Sequence, residues 1–345
     1  MNYYEELING NIPDDGIIYK SLATMQNKLE THEKVVVSIS GGSDSDDMLH
    51  LFEMENKDVG SDITYVFFDT GLEYDASYEH IKELESKYNI EIKVIRAKVP
   101  IPISCKKYGQ PFLSKQVSEF IERLQRHNFK WEDKSFEELY KEYPNCKAAL
   151  KWWCNEWGEG SKFNIEYNKG LKEFMILNPP KFLISSKCCK GAKKDVIKQF
   201  LKENSFDMSC TGVRKAEGGA RSSAYKNCFT AGENEEIDQY RPIFFYTNET
   251  KEKLEKFYRI THSRCYTQYG LKRTGCAGCP YGKEFEYELK VMEKYEPKLY
   301  KAVCNIFKDS YEYTRSYNKF KESFKKDDNS EEYKIKFGEQ ISIFN

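Results

Sequence analysis

Val35-Val36-Val37-Ser38-Ile39-Ser40-Gly41-Gly42-Ser43-Asp44-Ser45 is the stretch that decides the fold. Its first five residues, rich in β-branched side chains, read as a buried strand, and Ser43 to Met54 reads as the helix that follows. The loop between them carries two glycines, which let the backbone come close to a ligand. Its successive N–H groups and the hydroxyls of Ser40, Ser43 and Ser45 donate toward an anion at the helix N-terminus. A pyrophosphate suits such a loop. The Gly-Lys-Ser/Thr needed by the P-loop of kinases and GTPases is absent.

Downstream, Ile63 to Phe68 reads as a second strand, Asp75 to Tyr88 as a helix and Glu91 to Ile95 as a third strand. Two βαβ crossovers in succession imply an α/β fold with a Rossmann-like parallel sheet, whose ligands sit beyond the carboxyl ends of the strands. The loops after Ile39 and Phe68 are therefore the expected binding loops, and the second carries Asp69-Thr70-Gly71.

From Pro100 to about Pro180 the pattern breaks into helical stretches with Trp131, Trp152, Trp153 and Trp157. Aromatic residues at helical spacing fill a core more often than they stack on a base. A Lys-rich helix near 190–202, a glycine-rich loop at 212–219, a strand-like Tyr240 to Tyr246 and a helix from Phe285 to Tyr317 follow, with a charged, frayed tail from Lys319. The expected organisation is a nucleotide-binding α/β core over 1–100, a helical insertion over 101–184, a metal- and anion-binding part over 185–290, and C-terminal helices with the tail over 291–345.

The chain has eleven cysteines. Cys188-Cys189 is answered downstream by Cys276-Ala277-Gly278-Cys279. Adjacent side chains diverge by about 100° on a helix and about 180° on a strand, so one small ion is poorly served by both thiols of a vicinal pair. A cubane with an iron at each corner is better matched. Tetrahedral zinc is the competing metal reading, although it usually draws on two Cys-x(2–4)-Cys knuckles, and inert thiols are the third. Ten lysines between 162 and 202, against Glu166, Glu173 and Asp195, surround the vicinal pair and suit an anionic centre.

Lys and Arg number 54 against 55 Asp and Glu, so the chain lacks the global positive charge of a protein that grips nucleic acid through many phosphates. MNYYEELING has neither a basic start nor an apolar run, and no stretch approaches the roughly 20 apolar residues of a membrane span. A cytoplasmic protein with reduced thiols and no membrane partner is expected.

The loop Ser40-Gly41-Gly42-Ser43-Asp44-Ser45 carries the S-G-G-x-D-S signature of the PP-loop superfamily, the ATP pyrophosphatases and their relatives. A strand followed by Asp69-Thr70-Gly71 and an aromatic-led helix from Tyr74 resembles the phosphoadenosine phosphosulfate reductase family. Thr211-Gly212-Val213-Arg214-Lys215 with Arg221 resembles that family's G-x-R-R-x-x-S-x-x-R anion loop, and Arg241-Pro242-Ile243 its Asn-Pro-Leu strand. Lys187-Cys188-Cys189 with Cys276-x-x-Cys279 is similar to the quartet of the cluster-bearing adenylylsulfate reductases. The resemblance covers roughly residues 30–100 and 185–290.

It implies a [4Fe-4S] cluster on Cys188, Cys189, Cys276 and Cys279. It also implies an adenine nucleotide, either ATP or adenylylsulfate and its 3′-phosphate form, held by Ser40 to Ser45 and Asp69 to Gly71. Arg214, Lys215 and Arg221 would clamp the terminal phosphate or sulfate. The family's C-terminal Glu-Cys-Gly-x-His nucleophile segment is absent, and the one cysteine after the quartet, Cys304, sits in an apolar context.

Divergent sulfonucleotide reduction, with a nucleophile such as Cys265 or Cys210 or a partner's thiol reductant, is the leading expectation. The alternative is ATP-dependent adenylation followed by sulfur transfer. It needs Mg2+, a sulfur-donor protein and, in the thiolation or phosphorothioation types it resembles, a nucleic acid. A nucleotide-sensing module without turnover is the third.

Overall fold

The computed structural model describes residues 3–218, 224–233 and 237–327. It divides into two units, the first formed by Met1–Ile101, Cys189–Gly278 and Glu286–Tyr300, and the second by Pro102–Cys188, Cys279–Phe285 and the described part of Lys301–Asn345.

In the first unit β1 (Lys34–Ile39), β2 (Asp62–Asp69), β3 (Ile92–Arg96), β4 (Met208–Thr211), β5 (Phe229–Thr230) and β6 (Asp238–Tyr240) form one sheet in the order β3-β2-β1-β4-β6-β5. All neighbours are parallel except β5, which runs antiparallel to β6. The expected Rossmann-like α/β architecture is present.

The chain steps outward from β1 to β2 to β3, then returns to lay β4 on the other side of β1, with Val37 opposite Tyr65 on one flank and Cys210 on the other. The strand order thus reverses between β1 and β4, the place where open parallel sheets receive ligands. Ser40 leaves β1 there and Gly212 follows β4 there.

Period-two alternation sorts β1 between two layers. Val35, Val37 and Ile39 pack with Leu22, Met25, Met48, Leu49 and Phe52, whereas Val36 packs with Val66 and Phe206. The helix Gly16–Thr31 starts at Asp15, whose carboxylate accepts from the N–H groups of Ile17 and Ile18. The helices Ser43–Val59 and Asp75–Tyr88 follow β1 and β2.

The second unit packs Lys115–Arg126, Phe136–Glu142, Lys147–Trp153 and Leu171–Leu177 about a core that contains Phe112, Ile121, Leu150, Trp152, Trp153 and Phe174. Trp131, Trp152 and Trp153 are buried there, as aromatic residues at helical spacing should be, and Trp157 is not.

Three segments differ from expectation. Tyr240 to Tyr246 is strand only at its first residue: Pro242 removes a ladder donor, and the chain turns with Phe244 N–H bonded to Arg241 O and Tyr246 N–H to Ile243 O. Ile243, Phe244 and Tyr246 are apolar because they enter the core rather than because they alternate across a sheet. The stretch 285–317 is three helices, Phe285–Tyr295, Pro297–Ile306 and Lys308–Asp327, the first ending just before Glu296, which precedes a proline. The Lys-rich helix begins as a π-turn, Lys190–Lys194, before continuing as Asp195–Asn204. Among the described residues no helix is long and apolar enough to cross a membrane.

Candidate functional site

The loop after β1 is built by its own hydroxyls. Ser45 Oγ donates to Gly42 O at 2.7 Å and accepts from Ser40 N–H at 3.2 Å, while Gly42 N–H donates to Ser40 Oγ at 3.3 Å. Gly42 is the N-cap of Ser43–Val59 and supplies no side-chain acceptor, while its carbonyl accepts from Ser45 N–H at 2.9 Å and Asp46 N–H at 3.1 Å. A Cβ built on Gly42 would stand 3.2 Å from Thr274 Oγ1 and 3.3 Å from Tyr266 OH, and the Ser43 N–H bonds the Tyr266 hydroxyl. Tyr266 and Thr274 therefore stand at the mouth of the loop, a pair that no motif in the sequence marks.

The loop after β4 presses against the same turn. A Cβ on Gly212 would fall 2.8 Å from Asp44 O and 3.2 Å from Ser45 Cα, so only glycine permits this approach. Two residues on, buried Arg214 donates through Nε to Asp44 Oδ1 at 2.8 Å and through a terminal nitrogen to Asn248 Oδ1 at 3.1 Å. Lys215 is exposed, its backbone N–H on Phe244 O, and Arg221 lies outside the described residues.

Behind the loop lies a buried charge network. Lys251 Nζ reaches Asp47 at 2.6 Å, Asp44 at 2.9 Å and Glu255 at 3.0 Å. His262 bonds Asp46 through Nδ1 at 2.8 Å and Glu255 through Nε2 at 2.7 Å, and His80 Nε2 meets Asp46 at 2.9 Å. Asp47, Glu255 and His262 gather closely enough for a metal ion, but the Lys251 ammonium already supplies the positive charge.

Burial pushes the Asp47 carboxyl up to about 7, against the pull of Lys251. Burial also opposes a charged His262 ring, but its bonds to Asp46 and Glu255 outweigh this and raise it to about 9. A histidine more basic folded than unfolded adds stability that is complete below about 6.5 and is lost as pH rises through 9. Urea midpoints should therefore fall between pH 6.5 and 9.5 by the equivalent of about 2 kcal/mol, and the His262→Gln protein should show a much shallower slope, the part left to Asp47. Equal slopes in both proteins would refute the assignment.

The loop after β2 folds on Asp69, whose Oδ1 accepts from Gly71 N–H at 2.7 Å and from Tyr78 OH at 2.8 Å. Thr70 Oγ1 donates to Glu73 at 2.6 Å and lies 3.7 Å from Cys276 Sγ. Burial raises the Glu73 carboxyl and the Cys276 thiol. Lys193, on the π-turn, donates to Cys276. Burial works against the Lys193 charge, but Cys276, Glu73 and Cys189 hold its pKa above the usual range.

Cys189 and Cys276, both in the first unit, thus lie within electrostatic reach of one another beside a lysine and a threonine hydroxyl. An ammonium and a hydroxyl donor are what the thiolates of an anionic cluster require, so these residues fit the group that the sequence implies. Cys188 is buried, Cys279 is partly buried, and both belong to segments of the second unit.

Two other thiols named from the sequence are placed differently from the expectation. Cys265 is fully buried, and burial raises it although Arg264 is adjacent, because that guanidinium pairs with Glu79. Cys210 is buried on β4 and is pushed up far more strongly. Neither is an activated, accessible nucleophile. A cavity of about 390 Å³ opens between Gly16–Thr31 and the 240–246 segment, lined by Ile17, Ser21, Thr24, Cys228, Tyr240 and Phe245, and none of the loop residues above lines it.

Residues 34–127 match the family model for the phosphoadenosine phosphosulfate reductase domain. The uncharacterized nin region protein ORF290 of Escherichia phage lambda is 36% identical over 64 residues, 19% of this chain and 22% of that protein, so the match spans about a fifth of that relative's length. Among solved structures, phosphoadenylyl-sulfate reductase from Candida auris in its phosphate complex aligns with 74% of this chain and 87% of its own, at 13% identity and a TM-score of 0.40. The U34-tRNA thiolase NcsA from Methanococcus maripaludis, with its [4Fe-4S] cluster, aligns with 88% of this chain and 78% of its own, at 13% identity and a TM-score of 0.39. The family match is thus confined to residues 34–127, the segment that carries β1, the Ser40–Ser45 loop, β2 and the Asp69 loop, and within it the chain is similar to the phosphoadenosine phosphosulfate reductase domain.

Proposed function

We propose that the chain is an ATP-dependent adenylating enzyme whose activated product accepts sulfur. The observation that carries this reading is the position of Arg214. The residue that would clamp a sulfate is committed to Asp44 and Asn248, so it braces the pyrophosphate loop instead. An acceptor oxygen attacks the α-phosphorus of ATP, the bond to the β-phosphate oxygen breaks, and pyrophosphate leaves with the electron pair. No net oxidation occurs. The Ser40–Ser45 turn would bind the departing pyrophosphate, with Mg2+ sharing its charge. A sulfide equivalent from a sulfur-donor protein then displaces AMP.

Cys188, Cys189, Cys276 and Cys279 are the residues proposed to hold a [4Fe-4S] cluster, which when bound supplies a polarising centre for the substrate's anionic end. Lys193 and the Thr70 hydroxyl would orient and balance the thiolates.

Sulfonucleotide reduction is the second reading, favoured by the 3.7 Å separation of Thr70 Oγ1 and Cys276 Sγ, which sets the Asp-Thr-Gly loop beside a cluster thiol. Anaerobically purified, cluster-loaded protein should release pyrophosphate from Mg-ATP. Sulfite release from adenylylsulfate or its 3′-phosphate with a dithiol reductant, and no pyrophosphate from ATP, would replace this reading with the second.

A further inference from the structure

We propose that the loop over residues 154–170 of the second unit is a docking surface for single-stranded nucleic acid. This names the acceptor class for the adenylation reading and in that sense rests on it.

The helix Lys147–Trp153 buries Trp152 and Trp153. Continued by one turn, it would carry Trp157 onto the same face as Trp153. Instead Asn155 takes a left-handed conformation, φ 62°, and Gly158 and Gly160 follow at φ 91° and 65°. The chain turns away, leaving Trp157 41%, Phe163 43% and Tyr167 68% exposed.

The loop that shows these rings is built rather than slack. Asn164 is buried, and its side-chain amide accepts from Trp157 N–H at 3.0 Å and donates to Gly158 O at 2.8 Å. Asn155 Oδ1 accepts from Glu166 N–H at 3.2 Å. Trp157 and Phe163 lie 5.9 Å apart, tilted by 46°. Each carries an ammonium, with Lys151 Nζ 5.4 Å from the Trp157 centroid and Lys162 Nζ 5.9 Å from that of Phe163.

Rings that receive bases, alternating with cations that receive phosphates, are the two parts of a single-strand platform. Between residues 102 and 188 fifteen Lys and Arg stand against eleven Asp and Glu, a sign that complements a polynucleotide. Within the loop itself Glu156, Glu159 and Glu166 stand against Lys162 and Lys169 and weaken a purely electrostatic grip. Recognition therefore leans on stacking, which a duplex does not offer and an unpaired strand does. The same glutamates disfavour an anionic membrane.

The test uses the full chain without nucleotide and a fluorescein-labelled single strand of about 20 mixed-sequence nucleotides, read by anisotropy beside the matching duplex. The single strand should bind more tightly than the duplex. Trp157→Ser with Phe163→Ser should weaken it at least tenfold with the circular dichroism spectrum unchanged, and Lys151→Gln with Lys162→Gln should lower the slope of log affinity against log salt by about 1.4. An unchanged affinity in the ring variant, or a preference for duplex, overturns the inference. A chain that splits ATP but ignores the strand overturns this inference alone. One that binds the strand but leaves ATP intact overturns the adenylation reading alone.

Discussion

Gly212→Val is expected to cut pyrophosphate release from ATP about a hundredfold while the sheet stays folded, because a shift of about 1 Å in a positioning element costs that much. The reason is steric and local. The new Cβ would lie 2.8 Å from Asp44 O and 3.0 Å from Asp44 C, both backbone atoms that cannot rotate aside. The first turn of Ser43–Val59 must therefore retreat, taking the Ser40–Ser45 donors out of register with the phosphates. Overpacking of this kind costs about 1–3 kcal/mol of stability, which a core of this size tolerates. Gly16→Ala is the matched control, since a Cβ there meets nothing within 4 Å. If Gly212→Val turns over like the parent, the 212 loop does not set the geometry of the nucleotide loop.

The closeness of Gly212 to Asp44 shows what the sequence could and could not reveal. The places of the Ser40–Ser45 and Asp69–Gly71 loops are legible, because each follows a strand whose β-branched run admits few other readings, and strand-to-helix periodicity puts them at the carboxyl edge of the sheet. That β4 returns beside β1 was not legible, since a parallel pairing across some 170 residues leaves no local trace. Motif resemblance points Arg214 at the ligand, and the pairing that brings it to Asp44 is a consequence of the same return.

The charge network was hidden for a related reason. Asp46, Asp47, His80, Lys251, Glu255 and His262 come from separate stretches of chain, so no His-x-x-x-His or paired spacing marks them. Lys251 and Glu255 at i, i+4 were the one local hint, and such pairs are common on solvated helix faces. Tyr240 to Tyr246 shows the opposite failure: its apolar run suggests a strand, although Pro242 cannot donate to a ladder.

Lys251→Met should destabilise the protein by about 3–5 kcal/mol near pH 8, the largest loss expected of any single polar substitution here, because it leaves buried carboxylates without their cation. Methionine keeps most of the lysine stem, so packing changes little and the charge is what is tested. Asp47, fully buried, has its ammonium at 2.6 Å, and even with that partner burial holds its carboxyl up at about 7. Without Lys251 its pKa rises further, so at pH 5 the carboxyl is neutral in the variant and little is lost there, whereas at pH 8 it must either ionise unpaired or take up a proton. The deficit should therefore grow from pH 5 to pH 8, the direction set by a group that binds its proton more tightly folded than unfolded. Lys251→Met with Asp47→Asn should recover a large part of the loss, because removing both members of a buried pair costs less than removing one. Asp44 would still hold Arg214 at 2.8 Å, so the double variant should keep its nucleotide loop and much of its turnover. A deficit below about 1 kcal/mol, or one that is flat between pH 5 and 8, would mean that Lys251 is solvated rather than a structural counterion, and the bracing of the nucleotide loop would then fall to Arg214 alone.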